Sequence, residues 1–190
     1  MANKMKLAVI LGSTRQGRQG KKIADWAASE LTKDPRWDVE LIDLADYPMP
    51  FFDSETPPLM LGGKYADPIV TKWAAKVAAA DAYVFVTPEY NHMIPAVLKN
   101  AMEQLYYEWA KKPAFIINYS MGPIAGSRAA MNLKQILQYL NVIVLNQTLG
   151  IGGVREFDGT PRAEELGKLA TELAWWAELL TPARAKIASK

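Results

Sequence analysis

Val9-Ile10-Leu11-Gly12-Ser13-Thr14-Arg15-Gln16-Gly17-Arg18-Gln19-Gly20-Lys21-Lys22 joins an apolar run to a loop of glycines, hydroxyls and cations, and then to a helical period. The Val/Ile/Leu run 7–11 reads as a parallel strand covered on both faces, hence an interior one. In the loop after it, Gly12, Gly17 and Gly20 allow backbone N–H groups to approach a ligand, and Ser13 and Thr14 carry hydroxyls. A helix opening near Gly20 would offer unpaired N–H groups to an anion, with Arg15, Arg18, Lys21 and Lys22 adding positive charge. The stretch therefore reads as a phosphate cradle. On loop composition alone, an ordinary strand-to-helix turn with a solvated basic rim stays open.

Outward from this stretch, short apolar runs alternate with helical periods, the pattern of β-α-β units and a parallel sheet. Strands are expected at 6–11, 38–43, 82–87, 114–119 and 142–145, the last with 147–151 as a possible continuation. Helix 20–31 places Ile23, Ala27 and Leu31 on one stripe, and Asp34-Pro35 stops it. The next helix starts at Asp67 as N-cap, with a first-turn proline, and packs Val70, Ala74 and Val77 inward. A third, 95–109, carries Met102, Tyr106 and Trp109 beside its main stripe, an apolar arc wide enough to suggest a subunit interface. A fourth carries Ala129, Leu133, Ile136, Leu137 and Leu140, and the last spans 161–180. The proline-rich loop 44–66 reads either as a functional or interface-covering segment or as a plain excursion, and Phe51 and Phe52, taken as exposed, tilt it towards contact with a partner subunit.

Composition narrows the chemistry. With 190 residues, half of them hydrophobic and 22% charged, the chain fits one globular domain over 1–190. A net charge of +2 gives no case for nucleic acid. The absence of cysteine removes disulfides and thiol catalysis, and one histidine, His92, removes sites needing several imidazoles. No run approaches the roughly 20 apolar residues of a membrane span, and the opening residues lack a leader-peptide layout, so a cytoplasmic protein is expected. Glycines at 12, 17 and 20 do not make G-x-G-x-x-G, which argues against a dinucleotide-binding enzyme despite Asp43 at the end of the second strand. Ser120 has no G-x-S-x-G elbow around it, so it is a poor hydrolase nucleophile.

In a parallel open sheet of order 2-1-3-4-5, loops 12–20, 88–94 and 120–126 converge outside the carboxyl ends of neighbouring strands. The second offers an aromatic ring and an amide, Tyr90 and Asn91, suited to a flat polar heterocycle; the third offers free backbone around Gly122.

Gly12-Ser13-Thr14-Arg15, together with Pro88-Glu89-Tyr90-Asn91-His92, Ile94-Pro95 and Leu98-Lys99-Asn100-Ala101, resembles the NADPH-dependent FMN reductases, which include quinone, chromate and azo-dye reductases. The resemblance runs over about 6–145. It implies a flavodoxin-like three-layer α/β sandwich: a five-stranded parallel sheet of order 2-1-3-4-5 with helices on both faces. It implies FMN as cofactor and NADPH or NADH as co-substrate, and a homodimer or homotetramer. Carried over residue by residue, the FMN phosphate falls to Ser13, Arg15, Gln19, Gly20 and Lys21. The ribityl chain and ring fall to Pro88, Glu89, Tyr90 and Asn91, and the far side of the ring to Ser120 and Gly122. Pro123 departs from the family's paired glycines and has no N–H to give. Electrons would pass from NAD(P)H through FMN to a quinone, azo compound, chromate or free flavin by a ping-pong mechanism, with no catalytic side chain required. Arg15 and Arg18 are the candidates for a nicotinamide 2′-phosphate. His92 is expected to orient its turn, and Glu89 to pair with backbone or a cation. The alternative is a flavodoxin-type electron carrier or FMN-binding regulatory module; carriers of that kind are strongly acidic, which a net charge of +2 does not match.

Overall fold

In a computed structural model that describes residues 4–188, the strands are β1 (Met5–Leu11), β2 (Trp37–Asp43), β3 (Ala82–Pro88), β4 (Pro113–Tyr119), β5 (Ile143–Val144) and β6 (Leu149–Ile151). They form one parallel sheet of order β2-β1-β3-β4-β5, the flavodoxin-like order, with β6 also paired to β4. β1, β3 and β4 are apolar because both their faces are covered: β3 and β4 are buried at every position. The helices are α1 (Gly20–Thr32), α2 (Pro58–Leu61), α3 (Pro68–Ala79), α4 (Ala96–Glu103), α5 (Ser127–Tyr139) and α6 (Ala163–Ala188). One core, between the sheet and α3, α4 and α5, centres on Trp73, Tyr83, Phe85 and Trp109; the other, beneath α1 and α6, holds Ile23, Val84, Phe115 and Leu173.

The expected stripes of the first two long helices are buried, and Asp67 caps α3 by accepting from the Ile69 and Val70 amides at 2.7 and 3.4 Å. The third helix is shorter than expected. It stops at Glu103, because the Glu108 carboxylate accepts the Tyr106 amide at 3.3 Å, an amide that a continuing helix would spend on Met102. Much of the apolar arc read as surplus is spent inside the chain: Met102 and Trp109 are fully buried, which leaves Tyr106 half-buried at the surface. Trp109 lies edge-on to Trp73 and Tyr83, at 5.7 and 5.2 Å between ring centroids. The loop 44–66 closes over α4, where Asn100 and Gln104 donate to the Pro50 carbonyl at 2.9 and 2.8 Å. In that loop Phe51 is exposed, Phe52 is half-buried, and α2 is a short turn that the periodicity did not signal.

The fifth strand is split. Val144 lies opposite Ala114 and Leu149 opposite Ile117, so the edge segment carries extra residues between its two paired pieces and bulges there. The last helix begins at Ala163, after a 3₁₀ turn (Thr160–Arg162), and continues past Pro182 to Ala188. Its far end is held by Arg184, whose guanidinium pairs with Asp81 at 2.8 Å; Asp81 in turn accepts the Lys6 amide at 2.9 Å.

At the same end of the sheet Lys112 is buried, donating to the Val77 and Ala78 carbonyls at 2.8 and 2.9 Å at the close of α3. Burial, reinforced by the nearby Arg184 guanidinium, pulls its ammonium from the ordinary 10.5 down to about 7. Between those values the unfolded chain holds a proton that the folded chain has released, so stability rises with pH through that window, by up to ~1.4 kcal/mol per pH unit. Denaturant midpoints should therefore climb from pH 7 to 9 in the wild type, and Lys112→Met should flatten the climb; an equal slope in both proteins would refute this role.

Candidate functional site

β1, β3 and β4 end side by side, and the loops that leave them form a cleft of about 460 Å³. The first loop contributes Arg15, Gln16, Gly17, Arg18 and Gln19; the second Pro88, Glu89 and Tyr90; the third Ser120, Met121 and Gly122. Tyr119, Val154 and Arg155 complete the wall. Seven of the eleven residues named from sequence thus share this lining: Arg15, Gln19, Pro88, Glu89, Tyr90, Ser120 and Gly122.

Two more stand directly behind the wall. Ser13 is fully buried, and its hydroxyl is hydrogen-bonded to the Tyr90 hydroxyl at 2.9 Å, tying the first loop to the second. Gly20 is buried at the start of α1, where a Cβ would lie 2.2 Å from the Tyr119 hydroxyl oxygen. The loop's glycines therefore serve different ends. Gly17 is the one with a left-handed backbone, φ +69°, whereas Gly12 is small because Leu98 and the Val86 carbonyl approach it, and Gly20 because Tyr119 does. Lys21 is exposed and pairs with Asp25 one helical turn on, and Asn91 is exposed in its turn; neither lines the cleft.

Tyr90 and Met93 exchange backbone hydrogen bonds of 2.9 and 3.0 Å around Asn91 and His92, whose φ values are +51° and +66°. This is a two-residue turn with both central residues left-handed, a conformation that costs most residues energy and that, among residues with a side chain, asparagine tolerates well. Tyr90 lines the cleft beside this turn, and the Arg15 guanidinium stands 5.7 Å from its ring centroid. His92 is exposed and outside the lining; its carbonyl accepts from Asn132 at 3.3 Å.

Glu89 pairs as the sequence suggests, with backbone and with a cation together. Its carboxylate accepts from the Arg128 and Ala129 amides at 3.1 and 3.4 Å and meets the Arg128 guanidinium at 3.4 Å. α5 has no side-chain cap of its own, because the residue before it is Gly126, so Glu89 supplies the acceptor from another loop. Arg18, considered for a 2′-phosphate, is held by an ion pair to Asp43, which also caps the turn after β2 by accepting the Ala45 amide at 3.0 Å. Arg15 carries no comparable ion pair among the described residues and is exposed.

Sequence reasoning missed Tyr119, read only as the last residue of its strand, and Val154 and Arg155. For the latter two the signal was Gly152-Gly153, glycines directly after an apolar edge run, which mark a loop at the same end of the sheet. The Ser120 carbonyl accepts the Val154 amide at 3.3 Å, and Lys22 donates to the Arg155 carbonyl at 2.8 Å, so this fourth loop is pinned beside the first.

A flavodoxin-order sheet with a donor-rich cleft at its switch point defines a phosphate- and heterocycle-binding α/β protein. Residues 5–156 match the family described as NADPH-dependent FMN reductase, and the chain belongs to that family of oxidoreductases. It is 38% identical over 139 residues to an NAD(P)H-dependent FMN reductase of Schizosaccharomyces pombe, covering 73% of this chain and 68% of that one. To a quinone reductase of Escherichia coli it is 32% identical over 177 residues, 87% of each chain. Among solved structures, the flavoenzyme NAD(P)H:(acceptor) oxidoreductase from Paracoccus denitrificans superposes with a TM-score of 0.74 at 23% identity, over 93% of this chain and 98% of that one.

Removing the Glu89 carboxylate should fray α5 and loosen the third loop. Glu89→Ala is expected to cost about 1 kcal/mol, as lost caps do, and to lower Tm by about 2–4 °C in a chain of this length, while Glu89→Gln, which keeps an acceptor, should lose less. Thermal melts that place both variants at the wild-type Tm would refute the capping role.

Proposed function

We propose that this chain is an enzyme that holds FMN in the cleft at the ends of β1, β3 and β4 and moves electrons from NAD(P)H to a small acceptor: a quinone, azo compound, chromate or free flavin. The observation that carries this reading is the junction of the first and second loops, where the Ser13–Tyr90 hydrogen bond holds a phosphate-type loop and an aromatic turn on one cleft. When bound, FMN supplies hydride acceptance and onward electron transfer. The residues do the rest. Backbone N–H groups at the start of α1, with Arg15 and Gln19, face the phosphate end. Pro88 and Tyr90 give the ribityl and ring portion an apolar wall, and Ser120 and Gly122 bound the opposite side. Pro123 offers no N–H, so the third loop lacks a backbone donor directly after Gly122. NAD(P)H and acceptor would use the same open face in turn, which is ping-pong order. Arg15, exposed at the rim, suits a nicotinamide 2′-phosphate better than Arg18, which Asp43 engages.

A homodimer or homotetramer is part of this reading. An apolar groove of about 420 Å³ between α4, α5 and the 44–66 loop, lined by Phe52, Leu59, Met102, Tyr106, Ile136 and Tyr139, supports a second copy there, with exposed Phe51 nearby. Cytoplasmic placement rests on composition; among the described residues no helix is long and apolar enough to cross a membrane.

The test is spectral and kinetic. The purified protein should take up FMN, lose its yellow colour when NADPH is added without oxygen, and turn over steadily with a quinone; FMN uptake without steady turnover would make it an electron carrier instead. Ser13→Ala combined with Arg15→Ala should raise the Kd for FMN more than tenfold. An unchanged Kd would mean the phosphate lies elsewhere.

A further inference from the structure

The start of α1 is crowded with hydrogen-bond donors and short of acceptors. Gln19, at the N-cap, makes no side-chain cap, and the first turn holds no acidic residue. The first amides of the helix therefore have neither an intrahelical acceptor nor a side-chain cap. Tyr119, only 4% exposed, belongs to the core on the α1 and α6 side of the sheet, and its ring reaches from the end of β4 to Gly20. Tyr119 borders the cleft, and its hydroxyl, buried at the cleft's inner end, has no hydrogen-bond partner. The Gly20 amide faces that oxygen but outside hydrogen-bond geometry. Two residues before Gly20, the Nε–H of Arg18 is buried and unpaired as well, although Asp43 holds another nitrogen of the same guanidinium.

A buried hydroxyl without a partner is a liability of about 1–3 kcal/mol. A buried phenol whose oxygen finds no partner within the chain therefore points to an acceptor that arrives with a ligand. Burial, with the Tyr90 hydroxyl next in effect, pushes the Tyr119 phenol well above its ordinary range, so it remains protonated and can act as a donor. The missing partner is an oxygen-rich, acceptor-only group at a helix N-terminus, which describes a phosphate monoester dianion.

We propose that Tyr119 is a phosphate-binding residue supplied by β4 rather than by the first loop: its hydroxyl donates to a phosphate monoester seated at the start of α1. This rests on the FMN reading above and deepens it. The bond exists for FMN and not for riboflavin, so Tyr119 makes the cleft select the phosphorylated flavin. Gly20 belongs to the same device, since any side chain there would displace the hydroxyl.

The test is to titrate FMN and riboflavin separately into wild type and Tyr119→Phe, following quenching of flavin fluorescence. The Kd for FMN should rise about tenfold, the worth of one charge-assisted hydrogen bond, with that for riboflavin unchanged. An unchanged FMN Kd, or equal weakening for both flavins, overturns the proposal, the second result meaning that the ring only shapes the cleft. Gly20→Ala approaches the same oxygen from the helix side and should also narrow the FMN preference, which keeps the proposal open to refutation if Tyr119→Phe folds poorly. A wild-type protein that binds neither flavin would instead overturn the FMN reading, and this inference with it.

Discussion

The parallel pairing of β1 with β3, Leu7 against Ala82 through Leu11 against Val86, is the constraint on which the rest depends. Because β2 lies on the other side of β1, chain order reverses at this point, and the connections leaving β1 and β3 carry α1 and α4 to opposite faces of the sheet. Two loops diverging from adjacent strand ends leave a crevice between them. Gly12 keeps that crevice close to the sheet, since its amide bonds to the Val86 carbonyl at 2.9 Å and a Cβ would strike Leu98. From there the Ser13 hydroxyl meets Tyr90, and Tyr90 sits on a turn closed by its own backbone pairing with Met93. The crevice is thus defined by bonds within the chain itself, so its shape does not depend on a ligand to hold it.

Much of this was legible in the sequence, because the features concerned have strong local causes. Apolar runs covered on two faces, a proline after an N-cap and glycine-rich turns after strands each leave a pattern within a few residues, and β1, β3, β4, α1 and α3 stand where such patterns put them. Long-range effects were not legible. Nothing within α4 announces that Glu108, held by the Tyr65 hydroxyl at 2.7 Å from the loop far upstream, will take the Tyr106 amide, so the helix read as continuing to Trp109. The same fact turned an apparent outer arc into core: once the chain bends at Glu103, Trp109 swings inward to Trp73, Tyr83 and Phe85.

The site shows the same division. Ser13, Arg15 and Tyr90 were readable because loop chemistry is local. Tyr119 was not, because a tyrosine ending a buried strand looks like core until its oxygen is seen against Gly20, nearly a hundred residues earlier in the chain. Gly20 itself was read as a residue needing backbone freedom, when what it supplies is the absence of a Cβ. Glycine in a loop carries both meanings, and a single sequence cannot separate them.

Charge at the phosphate end is arranged differently from what the count of basic residues suggests. Lys21 faces Asp25 and Arg18 faces Asp43, so two of the four cations in the stretch are engaged by carboxylates. Lys22 donates to the Arg155 carbonyl, which leaves Arg15 at the rim over Tyr90. The inner end of the cleft is consequently governed less by mobile point charges than by fixed dipoles: the opening amides of α1, the Nε–H of Arg18 and the hydroxyl of Tyr119. Fixed donors act over hydrogen-bond distances and are little screened by salt, whereas a mobile arginine at the rim acts at longer range and is screened. Such an arrangement separates two tasks that one cluster of lysines would confuse. On the proposed reading, the buried donors discriminate a phosphate from a hydroxyl by geometry, and the rim cation adds longer-range attraction for the anionic groups that approach the cleft.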